Sequence, residues 1–188
     1  QALFWDDNPD LNNFVGHVAI PRRHINPTAH WMNIIGQLAK REALPFNEVV
    51  QLYAMASVAF FDANLVCWND KYLYNFVRPV SYIQENIDAN WMPLIVTPPF
   101  PEHTSGHSAC SAACAVILEH YLGENYAFTD STHAAIGLGV RSFPSLMDAA
   151  WDVSMSRFYG GIHYRTGVVQ GTEQGIKVGE HIIKKLEL

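Results

Sequence analysis

The stretch TSGHSACSAACAVILEHYLG, residues 104–123, decides the fold because it joins a helix start signal to a long run of small and apolar residues. Prolines within residues 98–101 exclude a regular helix immediately before it. Ser105 is a typical N-cap residue, and Gly123 is typical of a helix C-terminus. The sequence therefore predicts a helix over residues 105–122.

The triplet Ser105-Gly106-His107 falls at the N-terminus of this predicted helix. Unpaired amides and the positive end of the helix dipole favour an anion there, and a glycine lets the backbone approach a ligand closely. His107 titrates near neutral pH, so it is a candidate general acid or base. An ordinary N-cap followed by a partly exposed histidine explains the same residues equally well.

A second segment, KYLYNFVRP at residues 71–79, supplies two cations. Lys71 and Arg78 are seven residues apart, so on one helix they would lie on nearly the same face, two turns apart. Pro79 disfavours helical backbone at Arg78 and predicts that the helix ends there. An arginine fork and a lysine point charge together suit a phosphate-like anion, although two solvated cations on a helix face fit the spacing too.

A third segment, SRFYGGIH at residues 156–163, follows a predicted helix that carries Leu146, Ala150, Val153 and Met155. A break at two glycines lets Arg157 and His163 turn towards a common point. The alternative is that Arg157 caps a helix carbonyl and that His163 is a buried, satisfied histidine.

His103 and His107 are four residues apart, which is the spacing of a metal pair on one helix. Pro101 and the Thr-Ser-Gly turn place His103 before the helix rather than in it. The sequence therefore disfavours a metal site at this pair.

Together, the three segments resemble the motifs of the superfamily of vanadium-dependent haloperoxidases and type 2 phosphatidic acid phosphatases, which includes bacterial non-specific acid phosphatases. The resemblance implies an all-α helical bundle whose pocket binds vanadate, or phosphate as its isostructural occupant. It implies that His163 is the axial ligand of vanadate, or the nucleophile towards phosphorus, and that His107 is the acid/base. The implied oxyanion-binding set is Lys71, Arg78, Ser105, Gly106, His107, Arg157 and His163, of which Lys71, His107, Arg157 and His163 are the implied catalytic residues.

Two aromatic residues separate the branches of this superfamily. Trp68 and Phe100 match positions that line the halide pocket in the haloperoxidase branch, which implies hydrogen peroxide and a halide as substrates. Their rings form an apolar wall suited to a polarisable halide and to excluding water, unless they are merely core aromatics.

The chain also departs from the phosphatase pattern, which has an aspartate four residues after the last histidine where this chain has Gly167. We therefore expect His163 to lack a carboxylate partner, which argues against phosphoenzyme chemistry. Two alternatives stay open: a soluble acid phosphatase that acts on phosphate esters through a phosphohistidine, and an inactive oxyanion-binding domain. The segment LFWDDNPD, residues 3–10, resembles bacterial haloperoxidase-like proteins, so Asp6 or Asp7 is a candidate acid partner for Arg157.

Composition predicts a single, mostly α-helical catalytic domain over residues 1–188, with 49% hydrophobic residues and a net charge of −6. The charge argues against nucleic acid, and no apolar run approaches the length of a membrane span, so neither partner is expected. Cys67, Cys110 and Cys114 lie in apolar segments and predict buried thiols. Glycines at every fourth position from residue 171 to 179 predict close packing between helices.

The first residue is Gln1 rather than methionine, and family haloperoxidases are commonly longer. We therefore expect a fragment that lacks an N-terminal helical region, or that completes its bundle as a homo-oligomer. A periplasmic or secreted location is expected from the family.

Overall fold

The computed structural model describes residues 1–2, 4–5 and 27–187 of the chain, apart from the side chain of Pro27. The described part is a helical bundle with one small hairpin, which confirms the predicted all-α class. Its elements are α1 (Pro27–Arg41), α2 (Phe46–Tyr74), α3 (Pro79–Asn86), α4 (Gly106–Leu122), β1 (Phe128–Asp130), a 3₁₀ turn (Ala134–Ile136), β2 (Arg141–Phe143), α5 (Leu146–Tyr159) and α6 (Arg165–Leu186).

Helix α4 is the centre of the bundle and packs against α1, α2, α5 and α6. Its bounds agree with the predicted helix to within one residue. The Ser105 hydroxyl oxygen accepts a hydrogen bond from the Ser108 amide, and Gly123 ends the helix with a φ of 98°. The start and stop signals therefore placed the central helix correctly, and with it the Ser-Gly-His triplet.

Helix α6 approaches α4 through a row of glycines. A Cβ atom added at Gly171 would lie 2.7 Å from the Ser105 carbonyl oxygen, and one added at Gly175 would lie 2.8 Å from the Ala109 carbonyl carbon. At Gly179 the added atom would meet Val116 Cβ at 2.7 Å. This confirms the predicted close packing, because side chains at these positions would force the two helices apart.

The prediction that Lys71 and Arg78 share one helix is wrong. Helix α2 ends at Tyr74, and Asn75 adopts left-handed backbone angles (φ 50°, ψ 43°) that cannot continue it. Arg78 is extended instead and is the N-cap residue of α3, with Pro79 in the first turn. Asn75 is the stop signal of α2 that the sequence analysis overlooked, and Pro79 begins α3.

A short hairpin between α4 and α5 was not anticipated. Its two antiparallel strands pair Phe128 with Phe143 and Asp130 with Arg141. Strands of three residues are too short for alternation to show in the sequence. His30 on α1 contacts the buried Asp130 at 2.7 Å and so ties the first helix to this hairpin.

The three cysteines are buried and free, as predicted. Burial raises the pKa of the Cys67, Cys110 and Cys114 thiols. The thiols are therefore packing groups in the described structure.

One described segment, Phe46–Asn86, is long and apolar enough to cross a membrane by length and composition alone. The expectation that no run reaches that length is wrong for this segment. A single segment of this kind is weak evidence, because the core helix of a soluble protein passes the same test. Of the apolar window, 22% is buried, and the buried residues of α2 are Leu52, Ala56, Ala59, Ala63, Cys67 and Lys71.

We predict that Gly175→Ala lowers the free energy of unfolding by about 1–3 kcal/mol, the usual cost of overpacking, despite the higher helix propensity of alanine. Chemical denaturation of both proteins measures the difference. Glu180→Ala, at an exposed position on the same helix, is the matched control and should change stability little. An unchanged or raised stability for Gly175→Ala would contradict the close approach of α6 to α4.

Candidate active site

A cavity of about 730 Å³ opens at the N-terminus of α4. It brings together residues from all three predicted segments, which are far apart in the chain. Predicted site residues on its walls are Lys71, Gly106, His107, Arg157 and His163, and the two predicted aromatic residues, Trp68 and Phe100, also line it.

Lys71 is the last buried residue of α2 and uses its ammonium group to hold the loop before α4. Its Nζ donates to the carbonyl oxygens of Pro101 (3.0 Å), Glu102 (3.1 Å) and Thr104 (2.6 Å). Burial, reinforced by the nearby charge of Arg78, lowers the pKa of Lys71 to about 8. An incoming anion would therefore compete with backbone oxygens for this cation.

Arg78 reaches the same loop from the other side. Its Nε donates to the Phe100 carbonyl at 2.8 Å, and its Nη1 donates to the Ile162 carbonyl at 2.8 Å. Burial lowers the pKa of Arg78 to about 10, so the guanidinium is charged at neutral pH. Its Nη2 is buried and has no hydrogen-bond partner among the described residues.

His163 is a neutral imidazole whose tautomer follows from its two neighbours. Arg78 Nη1 lies 3.1 Å from His163 Nε2, and a guanidinium can only donate, so Nε2 is the acceptor. The ring proton is then on Nδ1, which donates to Glu102 Oε1 at 2.6 Å. Burial, with the surrounding cations, holds the pKa of His163 well below its usual range. Nε2 therefore carries no proton, and an electrophile would take its lone pair by displacing the hydrogen bond from Arg78.

Glu102 was missed in the sequence, and its presence corrects the expectation that His163 lacks a carboxylate partner. The same Oε1 also accepts the backbone N–H of Tyr164 at 3.1 Å. Burial raises the pKa of Glu102, against the lowering effect of this hydrogen bond and of Arg78 and Lys71.

Gly167 explains why the acid comes from residue 102. A Cβ atom added at Gly167 would lie 2.8 Å from Glu102 Oε2 and closer still to Oε1. The glutamate carboxylate thus occupies the space that a side chain at position 167 would need. No local spacing links residue 102 to residue 163. The sequence feature that could have indicated a carboxylate from another segment was the glycine at position 167.

Arg157 and His107 form the other side of the site. Arg157 is buried, and its Nη1 donates to the Trp5 carbonyl at 3.1 Å and to His107 Nε2 at 2.9 Å. Asp6 and Asp7, the candidate acids for Arg157, lie outside the described residues.

Ser105 is fully buried and acts as the helix cap, since its hydroxyl oxygen also accepts from the Ser108 hydroxyl at 2.8 Å. Its backbone N–H donates to the Gly167 carbonyl at 3.0 Å, which fixes the loop to the start of α6. Anion binding by the Ser105 hydroxyl stays a prediction.

His103 lies in a second groove between α2 and α6, away from His107. In the part of the chain that the structure describes, no group of three or more His, Cys, Asp or Glu could hold a metal ion. His103 and His107 thus line two different cavities.

Trp68 and Phe100 make one wall of the cavity, with ring centroids 4.8 Å apart. Lys71 Nζ lies 5.2 Å from the Phe100 ring centroid, and Arg78 Cζ lies 5.0 Å from it. Each cation stands over the face of the ring, where the quadrupole attracts it. The aromatic wall therefore also positions the cations.

These donors fit a tetrahedral oxyanion. The cavity combines a helix N-terminus with the buried cationic side chains of Lys71 and Arg157, and the buried guanidinium of Arg78 contacts His163 on its wall. Burying charge is costly, and among the described residues the buried Arg78 Nη2 has no acceptor. A multiply charged anion would supply both the counter-charge and the acceptor.

A family model described as the VCPO second helical-bundle domain matches residues 51–90 and 84–188, which is more than half of the chain. The chain belongs to the vanadium haloperoxidase family. It is 26% identical to the vanadium chloroperoxidase of Curvularia inaequalis, over 64% of this chain and 22% of that protein.

Two solved structures are also similar to this haloperoxidase-family chain. The crystal structure of the first bacterial vanadium-dependent iodoperoxidase is 41% identical, covers 98% of this chain and 42% of its own, and has a TM-score of 0.88. A holo-type bacterial vanadium-dependent chloroperoxidase is 17% identical over 86% of this chain and 41% of its own, with a TM-score of 0.71, and shows the fold alone. The chain thus spans less than half the length of these relatives.

We predict that affinity for sulfate, whose charge does not change in this range, falls as pH rises above about 8. The pKa of Lys71 in the folded protein is lowered from 10.5 to about 8, so the cation is charged below that pH and neutral above it. Calorimetric titration between pH 7 and 10 measures the change. Lys71→Met should bind sulfate weakly with no inflection near pH 8, and an inflection that persists in this variant would exclude Lys71 as its cause.

Proposed function

We propose that this chain is the vanadate-binding part of a vanadium-dependent haloperoxidase that uses hydrogen peroxide to oxidise a halide to a hypohalous species. The observation that carries the proposal is the neutral His163, whose Nε2 faces Arg78 beside a cavity with an aromatic wall. The similarity to a bacterial vanadium-dependent iodoperoxidase supports the peroxide-and-halide chemistry. Bound vanadate would supply a Lewis-acidic centre that activates peroxide.

Each residue has a distinct part in this proposal. His163 Nε2 would be the side-chain ligand of vanadate, because it is the ring nitrogen that carries no proton. Lys71, Arg78 and Arg157 would balance the charge of the anion, with Ser105 and the amide of Gly106 as further donors. His107 would move a proton as the acid/base, and Arg157 orients it through Nε2. Trp68 and Phe100 would exclude water and receive the halide.

The second candidate is a phosphatase that acts on phosphate esters, and Glu102 specifically favours it. The carboxylate at Nδ1 orients His163 as a nucleophile towards phosphorus, so the argument from Gly167 against a phosphohistidine no longer holds. His107 would protonate the leaving oxygen. The aromatic wall favours the haloperoxidase, because a phosphatase that discharges a phosphohistidine needs water at this place.

A third candidate, an inactive oxyanion-binding domain, keeps the anion site without turnover. Since the chain spans 42% of the iodoperoxidase chain, activity of the whole protein, and any additional helical region or second copy it needs, is part of the proposal. A periplasmic or secreted location is likewise proposed from the family alone.

We predict that the purified protein, loaded with orthovanadate, oxidises iodide when peroxide is added and hydrolyses p-nitrophenyl phosphate slowly or not at all. Excess phosphate should slow iodide oxidation, because both oxyanions need the same donors. Spectrophotometric assays of both reactions on one sample make the comparison. Rapid ester hydrolysis without iodide oxidation would favour the phosphatase, and anion binding without either reaction would favour the inactive domain.

We also predict that His163→Ala abolishes vanadate retention and activity, whereas His107→Ala retains the anion and slows turnover by about 100-fold. Equilibrium dialysis measures retention, and the iodide assay measures turnover. His103→Ala is a matched control outside the cavity and should change neither. Equal loss of vanadate in the His163 and His107 variants would refute the division of labour.

A further inference from the structure

Residues 102 and 167 lie next to each other in the structure, although they are far apart in the sequence. The Glu102 carboxylate accepts from His163 Nδ1 at 2.6 Å and from the Tyr164 amide at 3.1 Å. Gly167, on the first turn of α6, leaves room for that carboxylate, since an added Cβ would lie 2.8 Å from its Oε2. The backbone at 167 is fixed as well, because its carbonyl accepts from the Ser105 amide at 3.0 Å.

We propose that Glu102 is the positioning residue that fixes the tautomer and ring orientation of His163, and that Gly167 is required because it leaves space for this carboxylate. The proposal rests on the role of His163 Nε2 in binding the oxyanion. Glu102 acts through the imidazole and does not touch the anion itself. The two positions form an exchangeable pair in which the acid can come from the loop before α4 or from α6, but not from both at once.

The contacts of the loop support this assignment. Lys71 Nζ holds the carbonyl oxygens on both sides of the glutamate, those of Pro101 and Glu102 itself, so its main chain cannot shift freely. The Glu102 amide also donates to the Phe76 carbonyl at 2.9 Å. A side chain that is 98% buried on such a backbone delivers its carboxylate to one place. Partners of this kind that orient a ligand histidine commonly account for 10–100-fold in affinity or activity.

The inference is tested with three variants. Glu102→Ala removes the acceptor, and Gly167→Ala displaces it without offering another. Glu102→Ala/Gly167→Asp moves the carboxylate to α6, where the space has been cleared. We expect each single variant to weaken vanadate binding by roughly 10–100-fold and the double variant to bind more tightly than either single variant.

The control is Gly167→Ala in the Glu102→Ala background, where no carboxylate remains to be displaced. We expect this substitution to have little further effect there. Residues that merely support folding would give losses that add, so a rescue by Asp at 167 distinguishes positioning from general stability. Circular dichroism checks that each variant is folded.

A second readout needs neither vanadate nor turnover. Side-chain ¹⁵N NMR of histidine-labelled protein without anion should show His163 as the Nδ1–H tautomer in the wild type and as a mixture in Glu102→Ala. If Glu102→Ala does not fold, Glu102→Gln replaces it in this comparison. The amide oxygen of the glutamine should keep His163 as the Nδ1–H tautomer, whereas Gly167→Ala should give a mixture of tautomers.

A double variant that binds vanadate no more tightly than the better-binding single variant would overturn the proposal. So would an unchanged His163 tautomer in both Glu102→Ala and Gly167→Ala. If the wild type binds no vanadate, the proposed function fails, yet the tautomer comparison still decides whether Glu102 positions His163.

Discussion

The structure of the site depends on one buried ammonium group binding three backbone carbonyls. Lys71 Nζ holds the loop at Pro101, Glu102 and Thr104, immediately before the helix that begins at Gly106. The loop then carries Glu102 to His163 and presents Ser105 as a helix cap. The position of this loop therefore determines where Glu102 and Ser105 lie in the site.

The buried charges of the cavity explain why the loop must be held in place. Three cationic side chains are buried near one another, and the pKa values of Lys71 and Arg78 are both lowered, mainly by burial. Carbonyl oxygens and the carboxylate of Glu102 compensate the charges of Lys71 and Arg78 within the described part of the chain. Burial is the main cause that holds His163 neutral, and the nearby charge of Arg78 adds to it. A neutral imidazole with its lone pair on Nε2 is the form that a vanadium or phosphorus centre requires.

Much of this architecture was predictable from the sequence because strong local signals stood at the right places. Ser105 and Gly123 marked the central helix, and the paired glycines after Tyr159 marked the turn before His163.

Other features of the fold could not be predicted from local sequence because they depend on tertiary contacts. Asn75 ended α2 early, so Lys71 and Arg78 reach the same loop from two different elements rather than from one helix face. The hairpin strands were too short to show a period. The acids of the N-terminal stretch lie outside the described residues, so the acid partner of Arg157 stays a prediction.

Glu102 shows the limit of motif reasoning most clearly. The motif position that holds an acid in the phosphatases contains Gly167, and from the sequence alone we expected His163 to lack a carboxylate partner. In three dimensions the glycine marks the place where an acid from another segment enters. A residue from a distant segment can therefore take the place of a missing motif residue. Here Glu102 does so, and the space beside Gly167 that it fills reveals the replacement.

We infer that His163 Nε2 bonds the central atom of the oxyanion while the cations hold its oxygens. X-ray absorption spectroscopy of the protein with bound vanadate tests this bond directly, since the ring of a coordinated imidazole gives a multiple-scattering signal that oxygen ligands lack. We expect this imidazole signal in the wild type and its loss in His163→Gln, a variant that keeps a polar side chain at this position. A wild type without the imidazole signal, or an imidazole signal that survives in His163→Gln, would contradict the bond to His163.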